Sequence, residues 1–248
     1  MQYAIGNLGM VPLRAEPSHT AEMLSQLLYG ETFRILEERA RWSRIKTSFE
    51  DLEAWIDNKQ VFKINESSYQ ELLACSAELS ADLVEFVTTE KELIPIPLGS
   101  SLTGKQILNH RHSGSTTTGI IGKERLIDTA FLYLNAPFLH GGRSPFGIDA
   151  SGFTQMVYKL HGHRLSRFAS EQARQGDSLS FIEESEPGDL AFFDGPEGII
   201  NHVGIMMQDN YIIHADGKVR VDRIDHSGIY NAELRRHTHQ LRVIKKII

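Results

Sequence analysis

Cysteine is almost absent from this sequence. Of the 248 residues only Cys75 is a cysteine, so a disulfide bond within the chain is excluded. Cys75 ends a segment, residues 69–75, in which apolar residues have helical spacing. A lone cysteine in such a setting is typical of a buried structural thiol, and we predict that Cys75 is buried rather than reactive.

Long hydrophobic runs and an excess of basic residues are also lacking. The composition, 41% hydrophobic and 23% charged, is that of an ordinary globular protein, and no run is long enough to cross a bilayer. The formal net charge is -6, and the Lys245-Lys246 pair is too small to neutralise nucleic-acid phosphates. The N-terminal segment has no basic region followed by an apolar core. We therefore expect a cytoplasmic protein without nucleic-acid or membrane partners.

The first 62 residues contain short apolar or alternating runs separated by turn residues, which predict the strands of a small β-barrel. Strands are predicted at residues 11–14, 27–31, 33–36, 42–45 and 53–56. The motifs in these runs, Val-Pro-Leu-Arg-Ala-Glu-Pro, Gly-Glu-Thr-Phe, Trp-Ser-Arg-Ile and Ala-Trp-Ile-Asp, resemble those of a bacterial SH3-like domain. Such domains commonly accompany cell-wall enzymes.

The rest of the chain changes in pattern near residue 123. Residues 63–122 predict a linking helix over 66–78 and a second, irregular β-module with runs at 83–87, 93–97 and 114–118. Residues 123–248 predict a helix over 126–132, a further helix after residue 150, and then strands at 191–193, 203–207, 211–214 and 241–244. A helix-bearing half followed by a β-rich half predicts the α+β class. We expect three segments, 1–62, 63–122 and 123–248.

A Gly-rich turn over residues 141–153, Gly-Gly-Arg-Ser-Pro-Phe-Gly-Ile-Asp-Ala-Ser-Gly-Phe, leads directly into this later helix. The N-terminus of a helix is where a thiol is most acidic and reactive, because unpaired N–H groups and the helix dipole favour the thiolate. The residue at that place is Ala150. The layout resembles the nucleophile turn of a papain-like cysteine peptidase, and the resemblance implies a cysteine where this chain has Ala150.

Four segments of the C-terminal half, residues 141–153, 186–193, 201–205 and 212–215, occur in the order and approximate spacing of the NlpC-type cell-wall cysteine peptidases, which they resemble. The resemblance implies a papain-like domain with the nucleophile position at Ala150, the imidazole base at His202 and its polar partner at His214. It further implies no cofactor, and as ligand a peptidoglycan-derived stem peptide of the kind cut by γ-D-glutamyl-L-diamino-acid endopeptidases in cell-wall recycling.

Several residues depart from the family pattern close to this site. Ala150 cannot attack a carbonyl, Phe138 lacks the tyrosine hydroxyl expected beside the oxyanion, and His140 stands where the family has tryptophan. Phe168 replaces the aspartate that binds the amine of the stem peptide in dipeptide-releasing members. The substrate-binding positions implied by the resemblance are Asp149, Ser151, Phe138, His140 and Phe168.

Two functional interpretations remain. Loss confined to the chemistry, on a turn whose glycines and prolines are intact, favours a catalytically inert pseudoenzyme that binds a ligand or regulates a protein partner. The alternative is an active endopeptidase of peptidoglycan recycling captured as a Cys-to-Ala variant. The natural codon for residue 150 distinguishes them.

Two other motifs are weaker. Residues 99–106 nearly match a phosphate-binding P-loop, but Gln106 stands where a hydroxyl would meet magnesium, so nucleotide binding is not expected. Histidine pairs at 110/112, 161/163 and 237/239 would each share a strand face, but the sequence shows no third ligand for any of them. We interpret them as surface or hydrogen-bonded histidines and predict no metal site.

Overall fold

The structure, a computed structural model, describes residues 2–248. The chain forms two compact units. The first holds the described residues up to 120 together with 140–144, and the second holds 121–139 together with 145–248. The separation of residues 63–122 as a module of its own stays a prediction.

The first unit begins with a small antiparallel β-barrel. Its strands run in the order β3-β2-β6-β5-β4-β1-β7. Apolar side chains that alternate along β4 and β5, among them Phe33, Ile35 and Ile45, point into its core. The bounds are β1 (Gln2–Ile5), β2 (Met10–Arg14), β3 (Met23–Leu28), β4 (Thr32–Glu38), β5 (Trp42–Thr47), β6 (Glu53–Asp57) and β7 (Phe62–Ile64). The predicted strands at 11–14, 33–36, 42–45 and 53–56 are present, whereas the strand predicted at 27–31 lies earlier, at Met23–Leu28, and the sequence analysis does not predict β1 and β7.

Helix α1 (Glu66–Ala74) follows the barrel and ends four residues before the predicted position. Short strands then pair as β10-β9-β11 and β12-β8. Their bounds are β8 (Glu78–Ser80), β9 (Val84–Thr88), β10 (Leu93–Pro97), β11 (Arg111–His112) and β12 (Thr116–Thr118). Residues 99–106 form turns without the helix that a P-loop requires.

The prediction that Cys75 is buried is wrong. Helix α1 buries only Tyr69, and Cys75 is the first residue beyond its last turn, where it is exposed. The apolar spacing indicated a helix correctly, but Leu73 is itself 49% exposed. Tyr69 and Leu72 are the residues of this helix that pack inward, and that contact does not extend to Cys75 beyond the helix end.

A buried charge cluster fastens residues 140–144 to the first unit. The guanidinium of Arg143, in β13 (Arg143–Ser144), is fully buried. Its Nη1 and Nη2 atoms lie 2.9 and 3.0 Å from the Glu31 carboxylate, and its Nε lies 3.0 Å from Glu50 Oε1. Nη1 also donates to the Gln26 carbonyl at 2.8 Å. Because these charges have left water, each depends on the others for compensation.

We predict that Arg143→Leu destabilises the first unit by about 3–5 kcal/mol, because it leaves two buried carboxylates without their cation. Urea unfolding followed by fluorescence measures the change. The control is Arg41→Leu, since Arg41 is an exposed barrel arginine, and this change should stay within about 0.5 kcal/mol. Equal stability of the two variants would contradict the role of the cluster.

The second unit packs helices against a curved antiparallel sheet. Its helices are α2 (Leu126–Phe131), α3 (Ala150–Leu160) and α4 (Ala169–Gln172). Its strands are β14 (Gly147–Ile148), β15 (Asp177–Leu179), β16 (Leu190–Asp194), β17 (Ile200–Met206), β18 (Tyr211–Asp216), β19 (Lys218–Asp225), β20 (Gly228–Asn231) and β21 (Arg236–Lys246). Short 3-10 turns lie at Asn58–Gln60 in the first unit and at Lys123–Arg125, Ile182–Glu184, Pro196–Gly198 and Gln208–Asn210 in the second.

The sheet of the second unit runs in the order β15-β21-β16-β17-β18-β19-β20. Strand β20 also pairs with β21, so that β16 to β21 close a circuit of pairings. Helix α3 packs against β17 and β18. Within residues 2–248, none of the helices combines the length and the apolar character that crossing a bilayer requires.

Candidate active site

Asp149 caps the N-terminus of helix α3. Asp149 is extended at φ -96 and ψ 174, and its Oδ1 accepts from the Gly152 N–H at 2.7 Å. This is the N-cap arrangement that satisfies one of the free N–H groups of a first turn. Every residue of α3 is buried, including Ala150 at 5% exposure. The predicted nucleophile position is therefore the first residue of a capped, buried helix, and it carries a methyl group.

Two further side chains hold this first turn. Arg167 donates to both carboxylate oxygens of Asp149, at 3.0 and 2.6 Å, and to Ser151 Oγ at 3.1 Å. Gln172 donates to the Ser151 carbonyl at 2.9 Å and accepts from Thr154 Oγ1 at 2.7 Å. The Ser151 hydroxyl is thus engaged with Asp149 and Arg167. That engagement does not suit a replacement nucleophile.

The two predicted catalytic histidines lie together on the sheet. His202, on β17, is hydrogen-bonded through Nε2 to His214 Nδ1, on β18, at 2.9 Å. His214 Nε2 donates to Asp222 Oδ2, on β19, at 3.1 Å. Arg220 holds the same carboxylate, with Nη2 at 3.0 Å from Oδ1 and Nε at 2.6 Å from Oδ2. The resulting row of side chains runs from imidazole to imidazole to carboxylate to guanidinium.

Strand register explains the histidine pair. Gly204 lies directly opposite His214, and His202 precedes Gly204 by two residues, so both rings stand on one face. A Cβ at Gly204 would lie 2.9 Å from the His214 Cβ and 2.7 Å from Ile212 Cδ1. The glycine therefore leaves the space that His214 occupies.

Burial sets the charge of the row. Burial lowers the pKa of His202 well below its usual value, and the neighbouring His214 and His239 rings lower it further. Burial by itself would raise the pKa of Asp222, but hydrogen bonds from His214 and Arg220 outweigh it and leave that pKa lowered. His202 is therefore neutral and Asp222 ionised near neutral pH, the states that suit a base and an orienting group.

Comparison with known proteins agrees with this arrangement. Residues 135–239 match the NlpC/P60 family, and residues 13–61 match the bacterial dipeptidyl-peptidase SH3 domain. The chain carries an NlpC/P60 domain behind an SH3 domain. The predicted family and the predicted α+β fold class, with an SH3-like barrel before a papain-like domain, are both confirmed.

Two curated relatives show how far the likeness extends. A γ-D-glutamyl-L-lysine dipeptidyl-peptidase of Bacillus cereus is 38% identical over 92 residues, which is 36% of this chain and 27% of that protein. Dipeptidyl-peptidase 6 of Lysinibacillus sphaericus is 26% identical over 248 aligned positions, covering 87% of this chain and 89% of that protein. The match to the first relative thus spans well under two thirds of its length.

A solved structure shares the whole fold. The crystal structure of an NlpC/P60 family protein from Bacillus cereus superimposes with a TM-score of 0.81 at 16% identity, over 99% of each chain. At this identity the likeness concerns the fold.

The other residues predicted to bind substrate lie at several separate places in the structure. Phe138 is 43% exposed, and its N–H donates to the Gly217 carbonyl at 3.0 Å within the NlpC/P60 domain. Phe168 precedes α4 and lies beside Arg167, whose Cζ is 5.9 Å from the ring centroid. His140 belongs to the first unit, where its Nε2 lies 2.8 Å from Glu22 Oε1. Their roles in substrate binding, and those of Asp149 and Ser151, stay predictions.

Sequence reasoning missed four groups that the structure brings to this site: Asp222, Arg220, Arg167 and His239. Asp222 and Arg220 alternate on the strand after His214, a pattern consistent with one polar face. His239 was interpreted as a surface or hydrogen-bonded histidine, but its ring stacks on His202 with centroids 4.0 Å apart. No local signal indicated that contact, because it joins residues far apart in the sequence.

We predict that Gly204→Ala disturbs the His202–His214 hydrogen bond and lowers stability by about 1–3 kcal/mol, because the added methyl overpacks against His214 and Ile212. Thermal unfolding and the imidazole resonances in NMR spectra measure both effects. In the matched control Gly195→Ala, the new Cβ meets the movable Asn201 amide instead. Unchanged histidine resonances in Gly204→Ala would contradict the steric argument.

Proposed function

We propose that the NlpC/P60 domain is a catalytically inert homologue of the muropeptide γ-D-glutamyl-L-diamino-acid peptidases, and that it binds peptidoglycan-derived stem peptides. The observation that carries the proposal is Ala150 at the first turn of α3. A covalent peptidase needs a thiolate or hydroxyl there, and a methyl group supplies no electron pair.

The names of the relatives support the class of ligand. Two of them are γ-D-glutamyl-L-lysine or related dipeptidyl-peptidases, and the family is one of peptidases. The supports around the site, namely the Asp149 cap and the row from His202 to Asp222, are retained. A fold that keeps these supports and lacks the attacking atom suits recognition of a peptide better than its cleavage.

Ser151 is a poor substitute for the missing thiol. Its hydroxyl lies 3.3 Å from Asp149 Oδ1 and 3.1 Å from Arg167 Nη1, and its carbonyl accepts from Gln172. Activation of a serine requires a base within hydrogen-bond reach, and these partners include no imidazole.

We predict that the purified full chain binds an L-Ala-γ-D-Glu-L-Lys peptide but does not hydrolyse it. Calorimetry measures the binding, and chromatography of the peptide measures the cleavage. Phe138→Ala should weaken binding by about tenfold, because this half-exposed ring is available to a ligand. Leu132→Ala is the matched control, since Leu132 is 46% exposed. Cleavage that disappears in His202→Ala would overturn the inert assignment.

The alternative function is an active endopeptidase whose cysteine has been replaced. The complete row of His202, His214 and Asp222 favours it, because base and orienting groups are those that a thiol at position 150 would use. Repair of the nucleophile distinguishes the two functions.

We predict that Ala150→Cys reacts with a thiol-alkylating probe yet cleaves the peptide poorly, and that adding Phe168→Asp and Phe138→Tyr improves cleavage. The reason is that a misplaced substrate contact can cost on the order of a hundredfold in rate. All variants are made in a Cys75→Ser background, because the exposed Cys75 thiol would otherwise take up the probe. Efficient cleavage by the single repair would establish the active-enzyme alternative.

The cytoplasmic localisation expected from the sequence stays a prediction.

A further inference from the structure

A cluster of three imidazoles lies in the NlpC/P60 domain: His202, His214 and His239. One ring nitrogen from each of them lies within 4.8 Å of the other two. His202 and His214 are buried, and His239 is half-buried. We propose that these three histidines form a binding site for a divalent transition-metal ion such as Zn²⁺. The proposal goes beyond peptide binding and does not depend on it.

The hydrogen bonds of the cluster indicate which nitrogen of each ring could bind a metal. His214 donates its Nε2–H to Asp222, so its Nδ1 is the acceptor that faces His202 Nε2. His239 Nδ1 lies 3.0 Å from Thr238 Oγ1, which leaves Nε2 for a ligand. A metal-binding histidine commonly bonds a carboxylate or a polar group through its second nitrogen, and that contact orients the ring. His214 has such a partner in Asp222, whereas the contact of His239 with Thr238 would be lost when that ring rotates.

Binding of a metal would require a small movement of the His202 and His214 rings and a larger movement of the His239 ring. Two nitrogens at about 2.05 Å from a tetrahedral zinc ion lie about 3.3 Å apart. The His202–His214 distance of 2.9 Å therefore has to open slightly, and the metal takes the place of the proton between the two rings, which His202 then carries on its Nδ1. The His202 and His239 rings are stacked at an interplanar angle of 25°, so His239 must rotate to direct its lone pair at the same point.

His239 is the ring of the three that is only half-buried. Strand β21 carries it at the wall of an open cavity of about 480 Å³, which His226, Ser227, His237 and Gln240 also line. The cavity gives an ion a path to the one histidine that is not fully buried. A plausible path is one of the criteria for a real metal site.

The donor set selects the kind of metal. Three neutral imidazoles without a carboxylate or thiolate suit zinc, nickel and copper, whereas magnesium and calcium require oxygen ligands. The fourth position of a tetrahedral ion would be open to water, as in other three-histidine sites.

The test is a metal titration of the full chain. After treatment with a chelator, the protein is titrated with ZnCl₂ in a calorimeter and with Co²⁺ in a spectrophotometer, where a tetrahedral ion gives strong visible bands. We expect one equivalent to bind. Asp222→Asn should weaken binding by about 10–100-fold, because it removes the outer partner of His214.

His239→Phe should abolish this binding while retaining the ring that stacks on His202. The matched control is His19→Phe, at an exposed histidine of the barrel, which should bind zinc like the parent chain. Circular dichroism and the melting temperature establish that both variants fold. Zinc binding that is absent from the parent, that survives in His239→Phe, or that is lost in His19→Phe would overturn the proposal. Because no step involves peptide, a failure here leaves the proposed peptide binding to be judged by its own titration.

Discussion

The buried ion pair between Asp149 and Arg167 is the contact on which the candidate site depends. Asp149 caps α3 and carries the negative end of a guanidinium–carboxylate pair whose shorter contact is 2.6 Å. Arg167 is almost fully buried, so neither charge can turn to water if its partner is removed. A shift of this pair would move the first turn of α3, and with it Ala150. The predicted nucleophile position is therefore held in place by this ion pair.

Strand pairing supplies the other half of the site. His214 lies opposite Gly204 on one side and opposite Arg220 on the other, and Asp222 follows Arg220 by two residues. Alternation along a strand then places His214, Arg220 and Asp222 on one face without any special loop. Register alone thus aligns the row. A one-residue slip of β19 would turn both charged side chains to the opposite face and leave His214 without its carboxylate.

Local sequence patterns predicted much of the secondary structure, but they did not predict the contacts between residues that lie far apart in the sequence. The barrel strands and the helix at the Gly-rich turn follow from residue spacing, and His202 and His214 follow from motifs that resemble the family. The contact between His239 and His202 depends on the pairing of β21 with β16, far from any local signal. The prediction for Cys75 was wrong for a different reason, because helical spacing indicates an inward face but does not show that its packing stops before the end of the helix.

The absence of a thiol changes the electrostatics of the whole row. In a cysteine peptidase the thiolate offsets a proton on the catalytic imidazole, because the two opposite charges form together. Residue 150 of this chain is alanine, which supplies no anion, and protonation of His202 would leave a buried cation beside two further imidazoles. Burial therefore favours the neutral ring. A neutral imidazole keeps a lone pair, so burial holds His202 in the state in which an imidazole accepts a hydrogen bond.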